Sequence, residues 1–258
     1  MLSGVSAFAE LENIVDGEDN TLLHVAAAEG HVFIIKQLIE GGVDVDVVDG
    51  KGLTPLYYAI KEEHMEIVRF LLRAGANVDV WGSNRAGQLP ETWKDGKHCE
   101  PLLHAVMRDG TMRMFNLLME EAVDLDLEMR DSKQCTALHI AALLGKVDIM
   151  KALLDKGADP CAEDFIVQQP IHLAASSSNP LGLVLLLDAG ADVNLLAFAG
   201  MGPTPLENAM GALECGNVCL LKEVGGVIRD NGMISEKVQK LCNCLTPGKY
   251  MERYRDEL

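Results

Sequence analysis

Four histidines each follow an aliphatic residue: Leu23-His24, Leu103-His104, Leu138-His139 and Ile171-His172. Imidazole suits acid–base catalysis and metal ligation near neutral pH. Catalysis of that kind needs a nucleophile, a base and an orienting group brought together. These histidines instead take one place each in separate copies of a recurring unit, with no nucleophile or second ligand beside any of them, so they are expected to be scaffold. Cys215 and Cys219, four apart on a predicted helix, are a second candidate, with Cys242 and Cys244 nearby. Read as helical, Cys242 and Cys244 point apart, which a compact four-thiolate zinc site would not choose; small buried hydrophobes are expected instead. The chain contains no Walker A run, no glycine-rich dinucleotide fingerprint and no Gly-x-Ser-x-Gly elbow. The expectation is therefore no catalytic residue, no metal and no cofactor.

The elements that carry these residues follow from the spacing. The histidine slot recurs at His24, Tyr57, His104, His139, His172 and Glu207, in steps of 33, 47, 35, 33 and 35 residues, which is one period with insertions of 14, 2 and 2. Eighteen positions after each slot stand Gly42, Gly75, Ala122, Gly157, Gly190 and Gly225, usually followed one or two residues later by Asp or Asn. A glycine there can end a helix in the left-handed conformation, and Asp or Asn suits the next turn. The small pairs Ala26-Ala27, Ala141-Ala142 and Ala174-Ala175 predict a first helix that neighbours approach closely. Runs such as Ile67-Val68-Arg69-Phe70-Leu71-Leu72 and Ile149-Met150-Lys151-Ala152-Leu153-Leu154, apolar at i, i+3 and i+4, predict the second.

Thr54-Pro55-Leu56-Tyr57-Tyr58-Ala59, Thr136-Ala137-Leu138-His139-Ile140-Ala141 and Thr204-Pro205-Leu206-Glu207-Asn208-Ala209 resemble the Thr-Pro-Leu-His-x-Ala signature of the ankyrin repeat family. The resemblance covers residues 16–228. It implies an all-α ankyrin-repeat solenoid of about six helix-turn-helix units with short hairpin fingers, whose histidines hydrogen-bond within and between turns. The family's finger glycine, five before the slot, survives at Gly52 and Gly202 but is Asp19, Cys99, Gln134 and Val167 elsewhere, so those hairpin turns are expected to be built differently. Residues 1–15 read as an N-terminal capping helix on the stripe Phe8, Leu11, Ile14 and Val15. Residues 229–258 read as a C-terminal capping helix opened by Ser235, stopped by Pro247-Gly248 and followed by a tail. A Gly-rich, polar insertion at 82–97 is expected to be a lengthened finger loop. Because a repeat array grows by adding units, one domain is expected despite the length.

The formal net charge is −17, and the first 48 residues hold nine acids against Lys36 alone. That disfavours nucleic acid, which needs a basic face, and suits a protein partner with a basic segment. Seven scattered cysteines fit thiols of a reducing compartment better than a disulfide framework. No apolar stretch is long enough to span a bilayer, and Met1 to Glu10 lacks a basic signal-peptide start. A cytoplasmic or nuclear monomer, away from membranes, is expected, although Arg255-Asp256-Glu257-Leu258 resembles an endoplasmic reticulum retention signal.

By the same resemblance, partners meet the finger tips and the exposed ends of the first helices. In the later units those positions hold Leu143, Leu144, Phe165, Ile166, Phe198 and Met201, an apolar set costly to expose without a partner. The resemblance thus implies a non-enzymatic interaction scaffold with a concave partner surface. An alternative is a substrate-recruiting subunit of a ubiquitin ligase, since Val238 to Leu245 resembles the Leu-Cys docking helix that some ankyrin proteins carry after the array. Asn194, in Ala191-Asp192-Val193-Asn194 with Leu186 eight earlier, resembles the family's acceptor pattern for asparagine hydroxylation.

Overall fold

The computed structural model describes residues 15–78, 101–109, 111–122, 125–228, 242, 244 and 250–255. The proposed N-terminal capping helix apart from Val15, the 82–97 insertion, Cys99 and most of the helix expected from Ser235 lie outside the described residues. Backbone contacts cluster into two compact units, Met1–Ser132 and Lys133–Leu258.

The first unit holds α1 (Leu22–Ala28), α2 (Val32–Glu40), α3 (Pro55–Lys61), α4 (Met65–Arg73), α5 (Leu102–Asp109) and α6 (Met112–Glu121). The second holds α7 (Ala137–Leu143), α8 (Val147–Asp155), α9 (Pro170–Ser176), α10 (Leu181–Asp188), α11 (Pro205–Ala212), α12 (Cys215–Glu223) and α13 (Tyr250–Arg255). First helices stack on first helices, α1 on α3 and α7 on α9 on α11, and each packs on its own second helix. The alanine pairs 26–27, 141–142 and 174–175 are buried at these contacts, where a larger side chain would hold the backbones apart. On the second helices Ile67, Val68, Leu71 and Leu72, and Ile149, Met150 and Leu153, fill the core as their spacing requires. Arg69 and Arg73 of α4 both donate to Glu121 of α6, so the two helices pair although a long insertion separates them in sequence.

The glycine stop signals act as read, and threonines supply the helix starts. Thr54 Oγ1 accepts from Tyr57 N–H at 3.3 Å, with Pro55 in the first helical position where no N–H is needed. Thr204 and Glu207 cap reciprocally: Thr204 Oγ1 accepts from Glu207 N–H and Glu207 Oε2 accepts from Thr204 N–H, at 3.2 and 2.8 Å. Second helices end on Gly42, Gly75, Gly157, Gly190 and Gly225, with φ between +89° and +96°.

The finger turns correct the expectation drawn from the missing glycines. Asp19, Gln134 and Val167 adopt the same left-handed conformation as Gly52, with φ of +61°, +61° and +59° against +75°. The turn is conserved in shape because its carbonyls and amides are committed to partners, and the side chains bear the strain. An aspartate eight before the slot supplies those partners, a role the sequence reading missed. Asp49 Oδ1 accepts from Lys51 and Leu53 N–H, both at 2.8 Å, and its Oδ2 accepts from Tyr58 O–H at 2.7 Å. Asp164 accepts from Ile166 and Gln168 N–H at 3.0 and 2.8 Å, and Asp16 from Glu18 and Asn20 N–H. The recurrence of Asp16, Asp49, Asp131 and Asp164 in register was the available signal.

Valine pays no part of that strain back, since its branched Cβ is the least suited to left-handed φ. Val167→Gly is expected to raise the unfolding free energy by about 0.5–1 kcal/mol, the left-handed penalty of about 1–2 kcal/mol less the entropy glycine adds to the unfolded chain. Gly52→Val should move the other way. Chemical denaturation of both variants checks the signs.

Candidate partner-binding surface

The sixth finger carries its two extra residues as a left-handed turn: Phe198, Ala199 and Gly200 all have positive φ. Gly202 is required there by space, because a Cβ would lie 2.0 Å from Phe198 Cδ2 and 2.9 Å from the Ala197 carbonyl. The Phe198 ring is thereby laid over the backbone of its own turn. Adjacent fingers are tied edge to edge, with Phe165 N–H donating to Lys133 C=O and Phe198 N–H to Ile166 C=O, both at 2.9 Å.

Six residues were expected on this face, and each can be placed. Phe165 is 74% exposed and Met201 85% exposed, both at finger tips. Phe198 remains exposed beside them in spite of its packing on Gly202, whereas Ile166 is half-buried. The backbone bond between Ile166 and Phe198 brings these two fingers together. Leu143 and Leu144, also exposed, stand on a different element, the C-terminal end of α7. Sequence reasoning missed Leu213. It is 60% exposed with φ of +60°, at the end of α11 where Gly30 and Gly145 serve the first and fourth units. A bulky residue in a glycine position was the signal. Strain and exposure coincide at Leu213 and Phe198, a pairing often found at functional surfaces.

His24, His139 and His172 form the ladder the resemblance implied. His24 Nδ1 accepts from Thr21 N–H at 3.1 Å, which leaves the proton on Nε2 to donate to Leu53 C=O of the next finger at 2.9 Å. His139 repeats this with Thr136 N–H and Gln168 C=O, and His172 with Gln169 N–H and Leu195 C=O. Both ring nitrogens are occupied, so these imidazoles have no free position for substrate. Burial, the largest cause, pushes His24 and His172 below the ordinary histidine value; their carbonyl acceptors and Asp49 or Asp164 act the other way.

A pH dependence follows. Below the ordinary value of 6.5 the unfolded chain takes up protons that folded His24 and His172 refuse. Their contribution is fully present above that pH and is lost as pH falls, by at most about 1.4 kcal/mol per pH unit for each histidine. Melting midpoints should therefore drop between about pH 7 and pH 5.5, before most carboxylates titrate. His24→Gln combined with His172→Gln should flatten that window.

Among the described residues no group of three or more His, Cys, Asp or Glu is arranged to hold a metal ion. Cys161 is exposed, and burial with Asp159 and Asp192 pushes its thiol up, away from a nucleophile's range. The reading of all cysteines as free thiols is corrected: Cys215 is bonded to Cys242 and Cys219 to Cys244. Neither Cys242 nor Cys244 is helical, so the argument that they point apart fails. Of residues 238–245 these are the only two described, and both are bound to α12. Beyond Pro247-Gly248, where a tail was expected, α13 packs on α10 and α12. Asn194, the expected hydroxylation residue, is half-buried. Its Nδ2 donates to Gly225 C=O at 3.2 Å and its Oδ1 accepts from Val227 N–H at 2.8 Å, tying one turn to the next. Among the described residues no helix is long and apolar enough to cross a membrane.

The family description "Ankyrin repeats (3 copies)" matches residues 3–80 and 88–164. The chain belongs to the ankyrin repeat family. It is 28% identical to the human ASB11 ankyrin repeat domain, whose crystal structure superimposes with a TM-score of 0.59 over 79% of this chain and 84% of that one. It is 36% identical over 112 residues, 43% of its length, to the inactive serine/threonine-protein kinase TEX14 of Bos taurus, but spans only 7% of that protein. Protein PhlB of Serratia liquefaciens is 35% identical over 116 residues, 45% of this chain and 49% of that protein. Ankyrin repeats serve generally in binding other proteins.

Proposed function

We propose that the chain is a non-enzymatic protein-interaction scaffold whose partner surface lies on the second compact unit, at Leu143, Leu144, Phe165, Ile166, Phe198 and Met201. The observation that carries this reading is the exposure of Phe165 and Met201 on neighbouring fingers tied by backbone hydrogen bonds. Aromatic and Met anchors on a rigid frame are the residues that dominate binding energy at interfaces. Both ring nitrogens of His24, His139 and His172 are engaged in the scaffold, which supports the absence of enzymatic chemistry. Exposed carboxylates at Glu18, Asp19, Glu29 and Glu40 of the first unit favour a partner that also carries basic residues, since such a field speeds encounter.

The test is a double variant, Leu144→Ser with Phe165→Ser. Proteins captured from cells by the wild-type chain should be lost or much reduced, because a few apolar anchors supply most of an interface's energy. The melting midpoint should stay unchanged or rise slightly, since neither side chain is in the core. Undiminished capture, or a loss of stability above about 2 kcal/mol as for a core leucine, overturns this surface.

A further inference from the structure

α13 is six residues long and is seated on α10 and α12. Met251 and Tyr254, three apart, are half-buried, while Glu252, Arg253 and Arg255 are exposed, so its apolar side faces the two longer helices. The Tyr254 hydroxyl lies over Gly216 of α12, where a Cβ would stand 3.7 Å from it. Met251 N–H donates to Glu223 Oε1 at 3.2 Å, and Arg255 is ion-paired with Asp188 of α10. These ties are weak ones. An ion pair this exposed contributes little, and a helix far shorter than about 12 residues does not hold its shape in water unaided.

Covalent attachment supplies what α13 lacks. Cys215 and Cys219 of α12 are bonded to Cys242 and Cys244, with Cα–Cα separations of 5.0 and 5.3 Å. With Cys244 fixed to α12, Tyr250 follows six residues after an anchor; without the bridges, α13 hangs from the end of α12 at Glu223, 27 residues away. The effective concentration of a tethered segment falls roughly as the −3/2 power of the tether length. Loss of both bridges thus dilutes α13 at its seat about tenfold. Each bridge joins one buried residue, Cys219 or Cys242, to one half-buried residue, Cys244 or Cys215, so each has a side on which a thiolate can approach.

We propose that the two disulfides are a redox latch on α13: closed as disulfides, with α13 seated on α10 and α12, and open as thiols, with that face bare. A dithiol is the reductant. Its thiolate attacks the sulfur of Cys215 or Cys244, and the buried partner leaves as a thiolate and takes up a proton. The second thiol of the reagent then displaces the protein sulfur from the mixed disulfide and closes the reagent's own ring. Each bridge thereby receives two electrons and two protons, and one dithiol becomes one disulfide. The same exchange run backwards with a disulfide recloses the latch. Opening uncovers Gly216 and parts Arg255 from Asp188, while the stacked helices of the array keep their repeat-to-repeat contacts.

The experiment compares hydrogen exchange of the full chain as the disulfide form and after treatment with a dithiol. The Met251 amide is the reporter, because its acceptor belongs to α12. It is expected to exchange about tenfold faster in the reduced chain, while the amides of α9 and α11 keep their rates. Cys215→Ser combined with Cys219→Ser should give the fast rate under both conditions, whereas Cys135→Ser combined with Cys161→Ser should respond to the dithiol as the wild type does. Equal Met251 exchange in the two wild-type states overturns the latch. So does faster exchange throughout α9 and α11 on reduction, which would make the bridges staples of the array rather than holders of α13. Alkylation of Cys215, Cys219, Cys242 and Cys244 in a chain first equilibrated with a disulfide reagent overturns it as well.

Discussion

Leu138→Ala is expected to lower the unfolding free energy by about 2–5 kcal/mol, the range for truncating a fully buried leucine that leaves a cavity. Leu138 is 1% exposed, in the first turn of α7, and α7 packs against both α8 and α9. The natural control is on the same helix: Leu143→Ala makes the same chemical change at its last, exposed residue and should alter stability by no more than about 0.5 kcal/mol. Alanine is the better helix former at both places, so helix propensity cannot account for a difference between them. Burial alone separates the two positions. Urea denaturation followed by circular dichroism measures both; equal effects would mean that the register of the fourth repeat is wrong.

Asn217→Ala should cost about 2–3 kcal/mol, although asparagine is an ordinary surface residue elsewhere. Asn217 is buried on α12, and its Nδ2 donates to the carbonyls of Ala174, Ala175 and Ser177 at 3.2, 3.0 and 2.7 Å. These carbonyls stand at the C-terminal end of α9, where helical carbonyls run out of intrahelical donors; Ala174 C=O also accepts from Ser177 N–H at 3.1 Å. Removing the amide takes a donor from the Ala175 and Ser177 carbonyls at a buried position, and unmet buried polar groups cost more than the bond itself contributes. The variant that distinguishes this cause from lost packing is Asn217→Asp. It keeps size and shape but turns a donor into an anion facing three carbonyl oxygens, and should be more destabilising than alanine at neutral pH. Acidification toward the aspartic acid pKa should recover part of the difference, since the protonated acid can donate once. An aspartate variant as stable as the wild type would remove the amide from the account of how α12 is joined to α9.

The register of this protein was legible in its residues. The histidine slot, the alanine pairs, the aliphatic second helices and the helix-ending glycines are local or nearest-neighbour features. A repeat array is stabilised by just such contacts, so periodicity in sequence maps directly onto stacking in space. The role of His24, His139 and His172 followed from the same register. The apolar character of Phe165, Phe198 and Met201 was equally plain. That they stay out of the core, and that Ile166 is half-buried, was decided by the finger backbone, and Leu213 is exposed in the left-handed turn that ends α11. Left-handed turns are imposed at Asp19, Gln134 and Val167 because the aspartate-held amides and the bonds between fingers over-determine the backbone, and no propensity of valine or glutamine announces it. The cysteines show the limit most clearly. A helical reading set Cys242 and Cys244 apart; neither is helical, and the disulfides join them to Cys215 and Cys219 across 25 to 27 residues that carry no repeat. Pattern fixes what a segment shares with its neighbours in the array, whereas a segment outside the period is placed by long-range packing, which only the folded chain resolves.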